Sequence, residues 1–133
     1  MIINTAEEMF NFGKSFSKKL SFPAVLELIG DVGVGKTTFT QGLATGLGVD
    51  ESVTSPSFTI SKRYAFPNGS LIHYDFYRLP DPGLMADDLL DSISEPNSVV
   101  VIEWGNDISN LLPQHQTLQF KLQDNGSREV TIL

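Results

Sequence analysis

The stretch Gly30-Asp31-Val32-Gly33-Val34-Gly35-Lys36-Thr37 constrains the fold of this chain more than any other. It fits the pattern G-x-x-x-x-G-K-[ST], the P-loop, in which glycines let backbone N–H groups converge on phosphate oxygens. Such a loop works only between a strand and a helix, because the helix N-terminus adds positive potential where the phosphates sit. Both flanks comply. Ala24-Val25-Leu26-Glu27-Leu28-Ile29 is an apolar run of strand length. Downstream, Phe39, Leu43 and Leu47 fall on one helical face, and Gly46 or Gly48 supplies the stop. In this setting Lys36 reaches the β- and γ-phosphates of a nucleotide, and the Thr37 hydroxyl ligates Mg²⁺.

The remaining elements follow from periodicity and punctuation. Ile2-Ile3-Asn4 reads as a short first strand or a lead-in. Thr5-Ala6-Glu7-Glu8 reads as a capping box, and Met9, Phe12, Phe16 and Leu20 extend a helix from about residue 5 to about residue 20 before Pro23 breaks the pattern. A polar loop follows Gly48. Its hydroxyls, Ser55 and Ser57 among them, suit either a solvated connection or a switch segment that senses Mg²⁺ or a γ-phosphate. Phe58 to Tyr64 alternates as a strand, Asn68-Gly69 is a hairpin turn, and Ser70 to Tyr77 is the return strand. Asp81 as N-cap and Pro82 as first helical residue open an acidic helix that ends at Pro96-Asn97. Ser98 to Glu103 is the clearest buried strand, four β-branched residues ending in an acid. Thr117 to Leu122 and Arg128 to Leu133, joined by Asp124-Asn125-Gly126, form a C-terminal antiparallel hairpin. The expected fold is α/β: a P-loop NTPase-like mixed β-sheet flanked by helices, forming a single domain over residues 1–133.

Composition narrows the function classes. The net charge of −7 disfavours direct non-specific binding of nucleic acid, which needs clustered Lys and Arg; Lys62 and Arg63 offer a local basic patch. The absence of cysteine removes disulfides, thiol nucleophiles and thiolate metal sites, and two histidines, His73 and His115, make a histidine-rich metal site unexpected. The polar start lacks a signal-peptide pattern, and no apolar run approaches the ~18 residues of a membrane span, so the expected location is the cytoplasm, away from the membrane.

A P-loop site needs an acid at the end of another strand, to hold Mg²⁺ directly or through water. Glu103 and Asp75 both end apolar strands; Trp104, beside Glu103, suits either the core or the site edge. Only three arginines, Arg63, Arg78 and Arg128, are available to stabilise transferring phosphate. The chain has no arginine-rich lid of a nucleotide kinase, no Asn-Lys-x-Asp guanine-reading motif and no Leu-Ser-Gly-Gly-Gln signature. By elimination the residues describe a small, sparsely equipped ATPase that is helped in trans. A nucleotide-gated assembly module with incidental hydrolysis and a small-molecule kinase are the alternatives.

Four blocks in order resemble one family, the bacterial ATPase component of tRNA threonylcarbamoyladenosine biosynthesis, called TsaE. They are GDVGVGKTTF at Gly30–Phe39, TSPSFTI at Thr54–Ile60, HYDFYRL at His73–Leu79 and VIEWG at Val101–Gly105. Ser57 stands where the family has Thr, keeping the hydroxyl and losing the methyl. The resemblance implies a weak ATPase that works with a heterodimeric threonylcarbamoyl-transferring complex of the same pathway and meets tRNA only indirectly. It implies ATP and Mg²⁺ as cofactors. Gly30, Asp31, Gly33, Val34, Gly35, Lys36, Thr37 and Thr38 would bind ATP, with Thr5 and Ala6 near the base and Ser55 and Ser57 in the switch. Thr37 and Glu103 would ligate Mg²⁺, Asp75 would be the second acid, Trp104 would lie at the site edge and Arg128 would approach the nucleotide. Lys36, Glu103 and Asp75 are the expected catalytic groups.

Overall fold

The computed structural model describes residues 1–31, 33–54, 61–76, 86–104 and 112–133. In chain order the elements are β1 (Ile2–Ile3), α1 (Ala6–Ser17), β2 (Ala24–Ile29), α2 (Lys36–Leu47), β3 (Ser61–Phe66), β4 (Gly69–Asp75), α3 (Ala86–Ser94), β5 (Ser98–Glu103), β6 (Gln116–Leu122) and β7 (Arg128–Ile132). The strands form one sheet in the order β1-β7-β6-β2-β5-β4-β3. Its centre is parallel, with β2 between β6 and β5 and β4 beyond β5; both flanks are antiparallel. This is the mixed sheet expected from the sequence, C-terminal hairpin included.

Strand alternation sorts the core into two layers. On one face Leu26, Leu28, Val99, Val101, Leu118 and Phe120 pack against Met9, Phe16, Phe39 and Leu43 of α1 and α2. On the other, Val25, Ile72, Tyr74, Val100 and Ile102 pack against Leu89 and Ile93 of α3. β5 is buried along its whole length because both faces are covered, which is why it reads as an unbroken apolar run. The Tyr74 hydroxyl pins α3 by bonding Asp88 Oδ2 at 2.6 Å and Ser92 Oγ at 2.8 Å.

Local chemistry sets the element ends. The Thr5 hydroxyl accepts the Glu8 N–H at 3.0 Å, and the Glu8 carboxylate accepts the Asn4 N–H at 2.8 Å, so the box closes one residue before Thr5's own N–H. α1 stops at Ser17, short of residue 20. Lys18, Lys19 and Leu20 donate to Ser15, Phe16 and Ser17 three residues back, a tighter winding that carries the chain out of the α-helix. Gly48, at φ 97°, ends α2 with its N–H shared between Ala44 and Thr45.

Two further boundaries differ from expectation. The β3–β4 turn is Pro67-Asn68, with Phe66 opposite Gly69, rather than Asn68-Gly69. Gly69 belongs to the strand; a Cβ there would collide with the Asn97 carbonyl, so close approach rather than a left-handed turn demands glycine. β4 ends at Asp75, two residues before the expected Tyr77, where the Phe76 N–H turns to the Glu103 carbonyl at 3.0 Å. Tyr77, the strand start at residues 58–60 and the helix start at Asp81-Pro82 lie outside the described residues. Among the described residues no helix is long and apolar enough to cross a membrane.

α1 and α2 meet along a glycine seam. A Cβ at Gly13 would run into the Phe39 carbonyl, at Gly42 into the Phe10 carbonyl, and at Gly46 into the Ser17 side chain and the Lys14 carbonyl. The obstacles at Gly13 and Gly42 are helix backbone and cannot rotate away. We expect Gly42→Ala to lower stability by about 1–3 kcal/mol in denaturant melts, although alanine is the better helix former.

Candidate nucleotide site

At the carboxyl end of the parallel strands a cavity of about 360 Å³ opens between the glycine loop, β4, β5, β7 and the start of α1. Ligands of open α/β sheets bind at this end of the strands. Gly33 and Gly35 sit at φ 84° and 106°, the left-handed region that side chains avoid. Gly33 has open space where a Cβ would lie, so its glycine is a matter of backbone angle, whereas at Gly35 a Cβ would press on the Met9 side chain. Val34 between them is buried and anchors the loop to the core. α2 starts with no side-chain cap and no acid in its first turn, and Gly35, Lys36, Thr37 and Thr38 line the cavity. The positive end of the helix is thereby offered to an anion in the cavity.

Lys36 is 5% exposed. Its ammonium donates to the Gly30 carbonyl at 2.5 Å, lies 3.6 Å from Glu103 Oε1 and sits 4.3 Å from the centre of the Trp104 ring. Glu103 is equally enclosed, and its second oxygen, Oε2, bonds His73 Nε2 at 2.5 Å. Burial alone would push the Glu103 carboxyl up. The bond and field of His73, with the Lys36 ammonium, outweigh it and hold the group below the usual carboxylate range. Trp104, directly after β5, has a left-handed backbone, φ 59°, a strained state for a bulky residue.

Register brings the second acid to the first. β4 and β5 run parallel with Asp75 opposite Glu103, and both line the cavity. Arg128, at the start of β7, reaches across to the Gly33 carbonyl at 3.3 Å and also donates to the Gly126 carbonyl. The other described arginine, Arg63, is on the surface in a two-bond pair with Glu95, which also takes up part of the Lys62–Arg63 basic pair.

Of the residues expected from sequence, Thr5, Gly33, Val34, Gly35, Lys36, Thr37, Thr38, Asp75, Glu103, Trp104 and Arg128 come together around this cavity. Gly30 and Asp31 are not in its wall: Gly30 holds Lys36 through its carbonyl, and Asp31 is exposed beside a smaller recess. Ser55, Ser57 and Arg78 lie outside the described residues. Sequence reasoning missed Ile3 and Met9, which line the cavity but look like core by periodicity. It also missed His73. The signal was there, since His73 stands two residues before Asp75 and so shares its strand face.

A glycine loop with a buried lysine, two strand-end acids and an uncapped helix define a P-loop nucleotide-binding α/β protein. The family described as Threonylcarbamoyl adenosine biosynthesis protein TsaE matches residues 3–131, and the chain belongs to that family. Its relatives include the tRNA threonylcarbamoyladenosine biosynthesis protein TsaE of Bacillus subtilis (strain 168), 42% identical over 109 residues, 80% of this chain and 67% of the relative. The protein of that name from Treponema pallidum (strain Nichols) is 33% identical over 132 residues, 98% of this chain and 97% of the relative. Among solved structures, the crystal structure of Bacillus subtilis YdiB superposes with a TM-score of 0.76 at 31% identity, covering 99% of this chain and 82% of that one.

The depressed Glu103 carboxyl gives a pH prediction for the nucleotide-free protein. A carboxylate lowered on folding stabilises the fold above its unfolded pKa, and that contribution is lost as pH falls through the lower, folded value. Stability should therefore decline in acid below the ordinary carboxylate range. In Glu103→Gln this component of the decline should be missing from urea midpoints measured against pH.

Proposed function

We propose that this cavity binds ATP with Mg²⁺ and hydrolyses it in the service of threonylcarbamoyladenosine formation on tRNA. The observation that carries the reading is the convergence of Lys36, Thr37, Asp75 and Glu103 at the uncapped start of α2. The donor set fits the cation. Carboxylate and hydroxyl oxygens are the ligands Mg²⁺ takes, and it is normally held by one or two carboxylates plus substrate phosphates rather than by a full protein cage. When bound, Mg²⁺ supplies charge neutralisation at the β- and γ-oxygens.

The chain's own residues do the rest. The loop N–H groups and the start of α2 cradle the phosphates. Lys36 exchanges its Gly30 and Glu103 contacts for phosphate oxygens, a short movement within the same enclosure. That exchange releases Glu103 Oε1 for the cation or for the attacking water, with Asp75 beside it. Thr5, Ala6 and Met9 form the wall on the α1 side, the side on which the base and sugar of a nucleotide would lie. Arg128 is the described arginine at the cavity, where it donates to the Gly126 and Gly33 carbonyls, and with only three arginines in the chain a cation contributed in trans is the expected complement to the transition-state charge. With a net charge of −7, the chain leaves the tRNA to the partner proteins of the pathway.

The test is ATP turnover by the purified protein, alone and with the threonylcarbamoyl-transferring complex of the same organism. We expect stimulation by the complex, loss of nucleotide binding and turnover in Lys36→Ala, and in Glu103→Ala retained binding with kcat down about 10²-fold or more. Full turnover in Lys36→Ala would sink the reading. The carbonyl-held Arg128 also favours a second one, an ATP-gated assembly module. It prevails if Glu103→Ala binds ATP without hydrolysis and still sustains repeated rounds of tRNA modification.

A further inference from the structure

His73 lies inside β4 with no exposed surface. Its Nε2 is bonded to Glu103 Oε2, and its buried Nδ1 has no hydrogen-bond partner among the described residues. A buried polar atom left without a partner costs about 1–3 kcal/mol. Nothing about the position requires that cost. Leu71, two residues earlier on the same face, and Val101, the register partner of His73 on β5, are fully buried apolar side chains. A leucine in place of His73 would satisfy the core.

The Glu103 carboxylate shows what the imidazole is for. A carboxylate only accepts, so Nε2 carries the proton and donates. With Oε2 claimed by His73, the carboxylate is held in one rotation and Oε1 is left toward Lys36, 3.6 Å away, at the cavity. An unanchored glutamate could present either oxygen, or turn from the cavity when Lys36 moves to phosphate. Groups that hold a metal ligand from behind usually set metal affinity and activity.

We propose that His73 is a positioning residue of the nucleotide site. By holding Oε2 it fixes Glu103 with Oε1 facing the Mg²⁺-nucleotide, and so sets how much Mg²⁺ the site needs. This rests on the reading of the cavity as a Mg²⁺-nucleotide site.

The test compares three variants by binding of a fluorescent ADP analogue, N-methylanthraniloyl-ADP, first in EDTA and then across a Mg²⁺ titration, with kcat and KM for ATP alongside. His73→Leu fills the space without a donor. His73→Gln puts an amide N–H at the reach of Nε2. His73→Asn carries the same amide one bond short. For Leu and Asn we expect unchanged metal-free affinity, a Mg²⁺ half-saturation raised about tenfold or more and a fall mainly in kcat. Gln should stay close to the parent. If the Leu variant fails to fold, the Gln–Asn pair decides. A parent-like Leu or Asn variant overturns the positioning role, as does a Gln variant as defective as Asn, which would show that ring shape matters and the donor does not. Absence of Mg²⁺-dependent nucleotide binding in the parent overturns the nucleotide reading itself, a separate failure.

Discussion

A lysine ammonium is held almost out of water in this fold, and much of the architecture is arranged so that it can be. Burying a charge is strongly unfavourable unless the geometry answers it. Here three groups from different segments answer: the Gly30 carbonyl from the loop, the Glu103 carboxylate from the end of β5, and the Trp104 ring from the strained residue after it. Removing any one leaves the others holding an incompletely compensated cation. The arrangement needs β2 and β5 to run side by side and end together, with Leu28 opposite Glu103. Sheet order, strand direction and strand length are thus all tied to one nitrogen atom.

That coupling explains how the two helices of the same face contribute. α2 carries Lys36, and α1 supplies the wall across the cavity; their spacing is set by Gly13 and Gly42, where backbone meets backbone, and by Gly46, which faces the Ser17 side chain. The aromatic cluster of Phe12, Phe16, Phe39 and Phe120, with ring centres 5.5 to 6.0 Å apart, fills the space beneath. The far face, where α3 is pinned by Tyr74, touches the site only through β4 and β5. One face of the sheet builds the cavity and the other supports it.

How legible this was in the sequence depended on the range of the signal. The strand, loop and helix around Lys36, the wholly buried β5 and the C-terminal hairpin are written in local patterns of two to four residues, and the structure follows them. The end of α1 was misjudged because Leu20 keeps helical spacing while packing on the core from beyond the helix. The β3–β4 turn slipped by one residue because Gly69 serves contact with Asn97, which sequence proximity does not reveal. His73 shares the strand face of Asp75 by spacing, but spacing does not name its partner. Its meaning lies in an atom thirty positions away, and only the register of β4 on β5 brings the two together. Arg128 and Gly33, further apart still, meet because β7 folds back beside β1, an arrangement no spacing rule encodes.

The placement of Trp104 has a practical side. It is the chain's one tryptophan, and its ring lies against the Lys36 ammonium. Excited at the red edge of the indole band, where the three tyrosines do not absorb, the protein therefore emits from a single point in the wall of the cavity. Occupancy can be followed in unlabelled protein, in real time and in the presence of the whole modifying machinery wherever the other proteins' tryptophans are replaced.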